Sequence, residues 1–276
     1  MRSTVLVPTD FSENAFLAGK FALKLAEKIQ ADVCFLHSFV SLQSAFQGEQ
    51  ENVLNREEAE GKANEEMSNF LAKLAEDESV KYNFVVTDKN LLDAIHEISL
   101  TVDLKLIVMG TTGASGLKYH VIGSNTYAVA KNLNVSPLVI VPPGISNFTL
   151  EKIVFFTDFN PGDLNTVTSL KNVFPTFVST IKLIHFGKQE ERMSEEVQLA
   201  RWALELKSKS GLQNISWSWI AGEEGIESVQ NLDEVFDLIL VTQKDRNFFE
   251  SLVSKNMAKE LIHQSMTPVF LSNVLS

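Results

Sequence analysis

Residues 5–15 read VLVPTDFSENA, and residues 153–163 read IVFFTDFNPGD. In each, an apolar run suited to a strand ends in Thr-Asp-Phe. A residue able to cap a helix follows, Ser12 or Asn160. One such stretch is a strand-to-helix junction; two of them raise the question of an internal repeat. A second pair of landmarks follows in the same order, DVCFLHSF from Asp32 and STIKLIHF from Ser179. Each carries a histidine, His37 or His185, near the end of the run. A third pair closes each half, SPLVIV from Ser136 and TPVFLS from Thr267. The chain is therefore expected to hold two tandem domains, 1–146 and 147–276. The boundary falls in PPGISNFTLEK, a Pro/Gly/Asn-bearing segment between Pro142 and Lys152.

Within the first half, strand-like and helix-like patterns alternate. The spacing predicts strands at 3–8, 32–39, about 80–86, 104–109 and 137–141. A helix from Ser12 places Ala15, Ala18, Ala22, Leu25 and Ile29 on one face, as a 3.6-residue period requires. The acidic segment ENVLNREEAEGKANEEMSNFLAKLAEDE is a long helix with Val53, Leu54, Met67, Phe70, Leu71 and Leu74 as inward positions. Further helices are expected at 90–101 and from 124. The second half repeats the order: Pro161 suits the first turn of its first helix, and VFDLILVT is its fourth strand. Strands apolar on both faces and alternating with helices imply a parallel sheet covered by helices. The expected fold is α/β, with two tandem doubly wound, Rossmann-like domains, each a mainly parallel five-stranded sheet flanked by helices.

At 276 residues, either half is long enough to bury its own core. The formal net charge is −11, and the acidic residues are spread through both halves. No basic face is visible, which disfavours nucleic acid and anionic membrane surfaces as partners. The single cysteine, Cys34, lies in an apolar run and reads as core packing in a reducing compartment. No apolar run approaches the ~20 residues of a membrane span. The N-terminus lacks a signal-peptide pattern, so a cytoplasmic location is expected.

The junction after the fourth strand, MGTTGASGLKYHVIGSN (109–125), is laced with glycine. In doubly wound folds, ligands sit beyond the C-terminal ends of the strands. Glycine there lets backbone approach a ligand, and successive N–H groups form an anion-binding nest. The helix beginning near Ser124 adds free N–H groups and a partial positive charge. The same glycines would serve equally as tight turns. Neither the Walker GxxxxGK[ST] pattern nor GxGxxG after a first strand occurs.

The spacing Gly110-x2-Gly113-x9-Gly123-Ser124 resembles the universal stress protein family, in its ATP-binding branch. VPTDFS at the start and SPLVIV at the close of the first half add to the resemblance, which covers essentially the whole chain. It implies a stress-response protein that binds ATP as a regulatory ligand. Pro8, Thr9 and Asp10 would lie at the end of the first strand, with Asp10 toward the adenosine. Ser38 matches a residue whose backbone pairs with the adenine edge. Met109 and Gly110 would line the ribose, and Gly113, Gly123, Ser124 and Asn125 would hold the phosphates. Without the resemblance, Asp10 is as readily a turn or cap residue.

The second half departs from this pattern in VTQKDRNFFESLVSKN. Thr242 stands for the first glycine and Asp245 for Gly113, while Ser254-Lys255 falls opposite Gly123-Ser124. Asp245 would repel a phosphate, and Phe248 and Phe249 add bulk; Asp158 survives but cannot make a phosphate site alone. The second domain is expected not to bind ATP in the family's manner and to serve as a partner for the first, pairing LVIV with VFLS. A homodimer is the other arrangement open to such edges.

The five histidines show no metal-ligand spacing; His120, with Lys118, is the one inside the glycine loop. Binding residues can be named, but no base and no arginine finger, so efficient phosphoryl transfer is not expected. Slow hydrolysis, with Mg²⁺ bridging the phosphates, is compatible with this set. A nucleotide-independent protein-interaction module is the alternative reading. An adenylating enzyme is disfavoured because HIGH-like and SGGxDS-like signatures are absent.

Overall fold

In the computed structural model, the apolar run before the first Thr-Asp-Phe is strand β1 (Thr4–Pro8), with all of its residues buried. The structure describes residues 2–40, 49–74, 80–111, 123–132, 135–145, 149–175, 180–222, 235–243 and 267–273. Two compact units divide the chain, Met1–Val129 and Ala130–Ser276.

The first unit alternates β1, α1 (Glu13–Ile29), β2 (Asp32–Ser38), α2 (Glu49–Leu74), β3 (Tyr82–Thr87), α3 (Leu91–Thr101) and β4 (Leu104–Gly110); α4 (Ser124–Asn132) begins in it. Its strands run in the order β3-β2-β1-β4, all parallel. The chain builds outward from β1 through β2 to β3 and then crosses to the other side of β1 with β4. The point where the connections diverge therefore lies between β1 and β4.

Local chemistry explains where α1 starts and stops. The Ser12 hydroxyl accepts from the Ala15 N–H at 3.2 Å, Glu13 sits in the positive first turn, and Lys28 in the last. Gln30 ends the helix in a left-handed conformation. The stripe Ala15, Ala18, Ala22 and Leu25 is buried as its spacing predicts. Small residues there let the helix lie close on β1 and β4. Leu6, Phe35 and Ile107 are fully buried below, each contributing about 1.5–3 kcal/mol. Cys34 is buried in β2, and burial pushes its thiol up to about 11. That leaves it uncharged and inert, as core packing requires.

The long acidic helix differs from expectation at one end. Ala63, Met67, Phe70, Leu71 and Leu74 are buried, but Val53 and Leu54 are 49% and 63% exposed. A helix of 26 residues spans about 39 Å. The six-residue strand β3 that it covers spans only about 20 Å. Half of α2 therefore has no sheet beneath it. Strand β3 differs too: it is the outer strand of this sheet, and Tyr82, Phe84 and Val85 are exposed, so burial on both faces holds only for the inner strands.

The second unit contains β5 (Leu138–Val141), β6 (Lys152–Phe156), α5 (Gly162–Val173), β7 (Thr180–Gly187), α6 (Arg192–Ser210), β8 (Ile215–Ala221), β9 (Leu238–Gln243) and β10 (Val269–Asn273). Its strands lie in the order β5-β10-β9-β6-β7-β8, parallel except for β5 against β10. The antiparallel register pairs Ile140 with Val269 and Leu138 with Leu271. So LVIV does lie against VFLS, and β5 is counted with the second unit. The chain is an α/β protein with a mostly parallel, Rossmann-like strand arrangement. Among the described residues, no helix is long and apolar enough to cross a membrane.

Candidate functional site

The two Thr-Asp-Phe turns are built alike. Thr9 Oγ1 accepts from the Phe11 N–H at 3.0 Å, and Thr157 Oγ1 from the Phe159 N–H at 2.9 Å. His37 Nδ1 meets the Thr9 carbonyl oxygen at 2.8 Å, and His185 Nδ1 meets that of Thr157 at 2.8 Å. A carbonyl only accepts, so both histidines carry a proton on Nδ1. Phe11 and Phe159 take left-handed backbone angles, φ 63° and 58°, a cost of order 1 kcal/mol for a bulky residue. Each ring lies against its histidine, with centroids 4.2 Å and 4.3 Å apart. That contact and the hydrogen bonds offset the strain. The histidines are thus clasps that fix the turn after β1 in the first unit and after β6 in the second.

In the first unit this turn forms one wall of a cavity of about 480 Å³ at the C-terminal ends of β1, β2 and β4. Pro8, Thr9 and Asp10 line it from β1, Ser38 from β2, and Met109 and Gly110 from β4. Gly123, Ser124 and Asn125 line it from the start of α4. Nine of the ten residues singled out in the sequence thus surround one space. The tenth, Gly113, lies outside the described residues, as do Lys118 and His120. Ala15, His37, Val40, Asn90, Leu91 and Thr126 complete the lining. Asn90 carried a sequence signal, since it precedes a helix directly after a strand; its Oδ1 caps α3 by accepting from the Asp93 N–H at 3.0 Å. The Ser38 hydroxyl donates to the Lys89 carbonyl, tying that cap to the end of β2.

The α4 wall is suited to an anion. The Gly123 N–H donates to the Thr111 carbonyl at 2.6 Å, and the Tyr127 N–H to the Gly123 carbonyl at 2.8 Å. Gly123 therefore stands at the N-cap, with its own N–H closing the loop. Ser124, Asn125 and Thr126 supply the first-turn N–H groups, which have no acceptor within the helix. Ser124 and Asn125 are exposed and Thr126 is buried. The Thr126 hydroxyl donates to the Gly110 carbonyl at 2.8 Å, anchoring α4 to the end of β4. Asp10 faces the same cavity, and its Oδ1 accepts from the Ser12 N–H at 3.1 Å. Among the described residues, no three His, Cys, Asp or Glu side chains gather as a metal-ligand set.

At matching positions the second unit carries larger, polar side chains. Where the first unit has Ala15, Ala18 and Gly110, the second has Asp163, Thr166 and Thr242, all 2% exposed or less. Asp158 keeps an exposed side chain, 3.9 Å from His185 Nδ1. Asp245, Phe248, Phe249, Ser254 and Lys255 lie outside the described residues.

A model of the universal stress protein family matches residues 1–142. A universal stress protein of Methanocaldococcus jannaschii is 30% identical over 144 residues, covering 50% of this chain and 82% of the relative. The crystal structure of a universal stress protein from Archaeoglobus fulgidus DSM 4304 has 16% sequence identity, 98% coverage of both chains and a TM-score of 0.63. A functionally unknown protein from Pseudomonas aeruginosa PAO1 follows at 12% identity, covering 99% of this chain and 93% of its own, with a TM-score of 0.56. The last two share the fold. The family match over the whole first unit, with a relative this similar across most of its own length, carries more: the chain belongs to the universal stress protein family.

Proposed function

We propose that the first unit binds ATP as a regulatory ligand in a stress response, and that the second unit is a tandem copy that does not bind it. One observation carries this reading: the cavity at the strand ends is bounded by the N-terminus of α4 on one side and by Asp10 on another. Its volume, about 480 Å³, is within the usual range of small-ligand sites. First-turn N–H groups and a helix dipole favour phosphate. Asp10, an acceptor when ionised, suits a ribose hydroxyl or an exocyclic amine. Ser124 and Asn125 would hold the phosphates with Gly113 and Gly123. Asp10, with Thr9, Ser38 and Met109, would orient the nucleoside, and Mg²⁺ would come with the phosphates. Binding alone does not make an efficient enzyme, since no lysine or arginine is among the described residues that line the cavity to meet a transferred phosphoryl.

The test is calorimetric titration of the full chain with ATP and Mg²⁺, in the native protein and in Asn125→Asp. The substitution nearly preserves shape, and a carboxylate in the first turn of α4 favours the helix by roughly 0.3–1 kcal/mol. The same charge opposes phosphate, so affinity falls by about tenfold or more while the melting temperature is kept or raised. Equal affinity would remove phosphate from the α4 end. A protein-interaction module is the second reading, favoured by the structural use of Gly110 described below, and no ATP binding by the native chain would select it.

A further inference from the structure

In the second unit, donors from three separate segments meet at one buried carboxylate. Asp163, in the first turn of α5, is 1% exposed. Its Oδ1 accepts from the Thr242 hydroxyl of β9 at 2.9 Å. Its Oδ2 accepts from the Trp202 indole N–H of α6 at 3.2 Å and from the Thr157 hydroxyl just after β6. Thr242 has a single proton, which Asp163 receives. The proton between Thr166 Oγ1 and Thr242 Oγ1, 2.8 Å apart, is therefore the one Thr166 donates, shared with the Gly162 carbonyl at the longer distance of 3.3 Å. The hydroxyls form a directed chain that ends on the carboxylate.

Three of these positions match residues that line the first unit's cavity. Thr157 matches Thr9 and Asp163 matches Ala15, both of which line that cavity; Thr242 matches Gly110. A Cβ on Gly110 would approach Asn14; at the matching positions the second unit has Thr242 and Gly162, so the glycine stands on the helix instead of the strand.

We propose that the second unit contains an anion site of its own, built by Thr157, Thr242 and Trp202, and that the carboxylate of Asp163 is its resident ligand. At this point the chain itself supplies the anion. The site takes one carboxylate group; its donors include two hydroxyls and an indole, placed on the two oxygens of a planar anion. Burying such donors without an acceptor is costly, so the vacated site should recruit a free carboxylate. This inference does not depend on ATP binding by the first unit.

The experiment is chemical rescue of the full chain carrying Asp163→Ala, which removes the carboxyl group and leaves the donors. Thermal unfolding is followed with increasing sodium formate, with sodium chloride at matched ionic strength as reference. The variant is expected to melt lower by about 5 °C or more. Formate should restore a large part of the loss along a saturating curve, while chloride should not. Native protein should show no difference between the two salts. Adding Thr157→Val and Thr242→Val to the variant should abolish the rescue, since the donors are gone. If Asp163→Ala does not fold unaided, the yield of folded chain on refolding in formate against chloride is the same readout. No saturable advantage of formate, or an equal advantage in the triple variant, overturns the proposal.

Discussion

A Cβ built on Gly110 would lie 3.0 Å from the Asn14 carbonyl oxygen and 3.1 Å from its carbon. Both are backbone atoms of α1, which cannot swing aside as a side-chain tip would. The glycine at the end of β4 is therefore required by helix-to-strand packing, whatever ligand the cavity takes. Gly110→Ala should cost about 1–2 kcal/mol, the range for overpacking by one methyl group, read from denaturant midpoints. In a double-mutant cycle, Asn14→Gly should recover part of that loss, with a coupling of at least about 0.5 kcal/mol, because it removes the third close atom, the Asn14 Cβ at 3.3 Å, and frees the backbone there to shift. Additive losses would show that the two positions do not share this contact. The candidate site was legible in sequence through the family resemblance that the glycine spacing and the strand-end motifs carry: it named nine residues that line the cavity, Ser38 among them. Ala15, His37 and Thr126 were not legible as lining residues, because an alanine, a clasp histidine and a helical threonine carry no chemistry until strand order places them. The closure by Asp163 was less visible still, since its partners lie in β9, in α6 and beyond β6, and no local spacing links them.

At the scale of elements, the second unit holds the start of β6 to the start of β9 with one side chain. Asp237 accepts from the Thr149 hydroxyl at 2.7 Å and from the Glu151 and Lys152 N–H groups at 2.8 and 2.9 Å. Burial alone would raise its carboxyl, but the Thr149 hydroxyl, the Lys152 and Glu151 N–H groups and the Lys152 charge hold it below the usual carboxylate range. A carboxyl lowered by folding contributes stability above its unfolded value, near 3.9, and loses it as pH falls through the folded one. Asp237→Asn should therefore lower stability by about 1 kcal/mol at pH ~7. The gap from native protein should narrow as pH falls below about 4; an equal gap at both ends would remove ionisation as its cause. The elements themselves were largely legible, because caps such as Ser12 and Asn90 and the alanine stripe of α1 are local signals. What escaped was reach. Periodicity marked Val53 and Leu54 as inward, yet it says which side of a helix is apolar and nothing of how far the sheet below extends. Likewise Tyr82 and Phe84 have the composition of an inner strand, and only the strand order makes β3 an edge.

For the molecule as a whole, the contrast between the units is a contrast in what fills the strand ends. The first leaves a cavity bounded by the α4 N-terminus and Asp10; the second occupies the matching place with Asp163, Thr166 and Thr242, buried and bonded to one another. A chain of net charge −11 gives a nucleotide no general attraction, so retention must come from a specific site. On the proposed function, one nucleotide site per chain is expected. Mass spectrometry of nucleotide released by heating the purified full chain should then find about one ATP or ADP per chain, rather than two. Two per chain would mean that the second unit binds despite its filled strand ends. No nucleotide, together with no binding when ATP and Mg²⁺ are added back, would leave the cavity without its ligand and return Gly110 to packing alone. An intermediate count that rises to one per chain on adding ATP would mean that the site is real and exchanges during purification, as a regulatory ligand must if its occupancy is to follow the nucleotide supply.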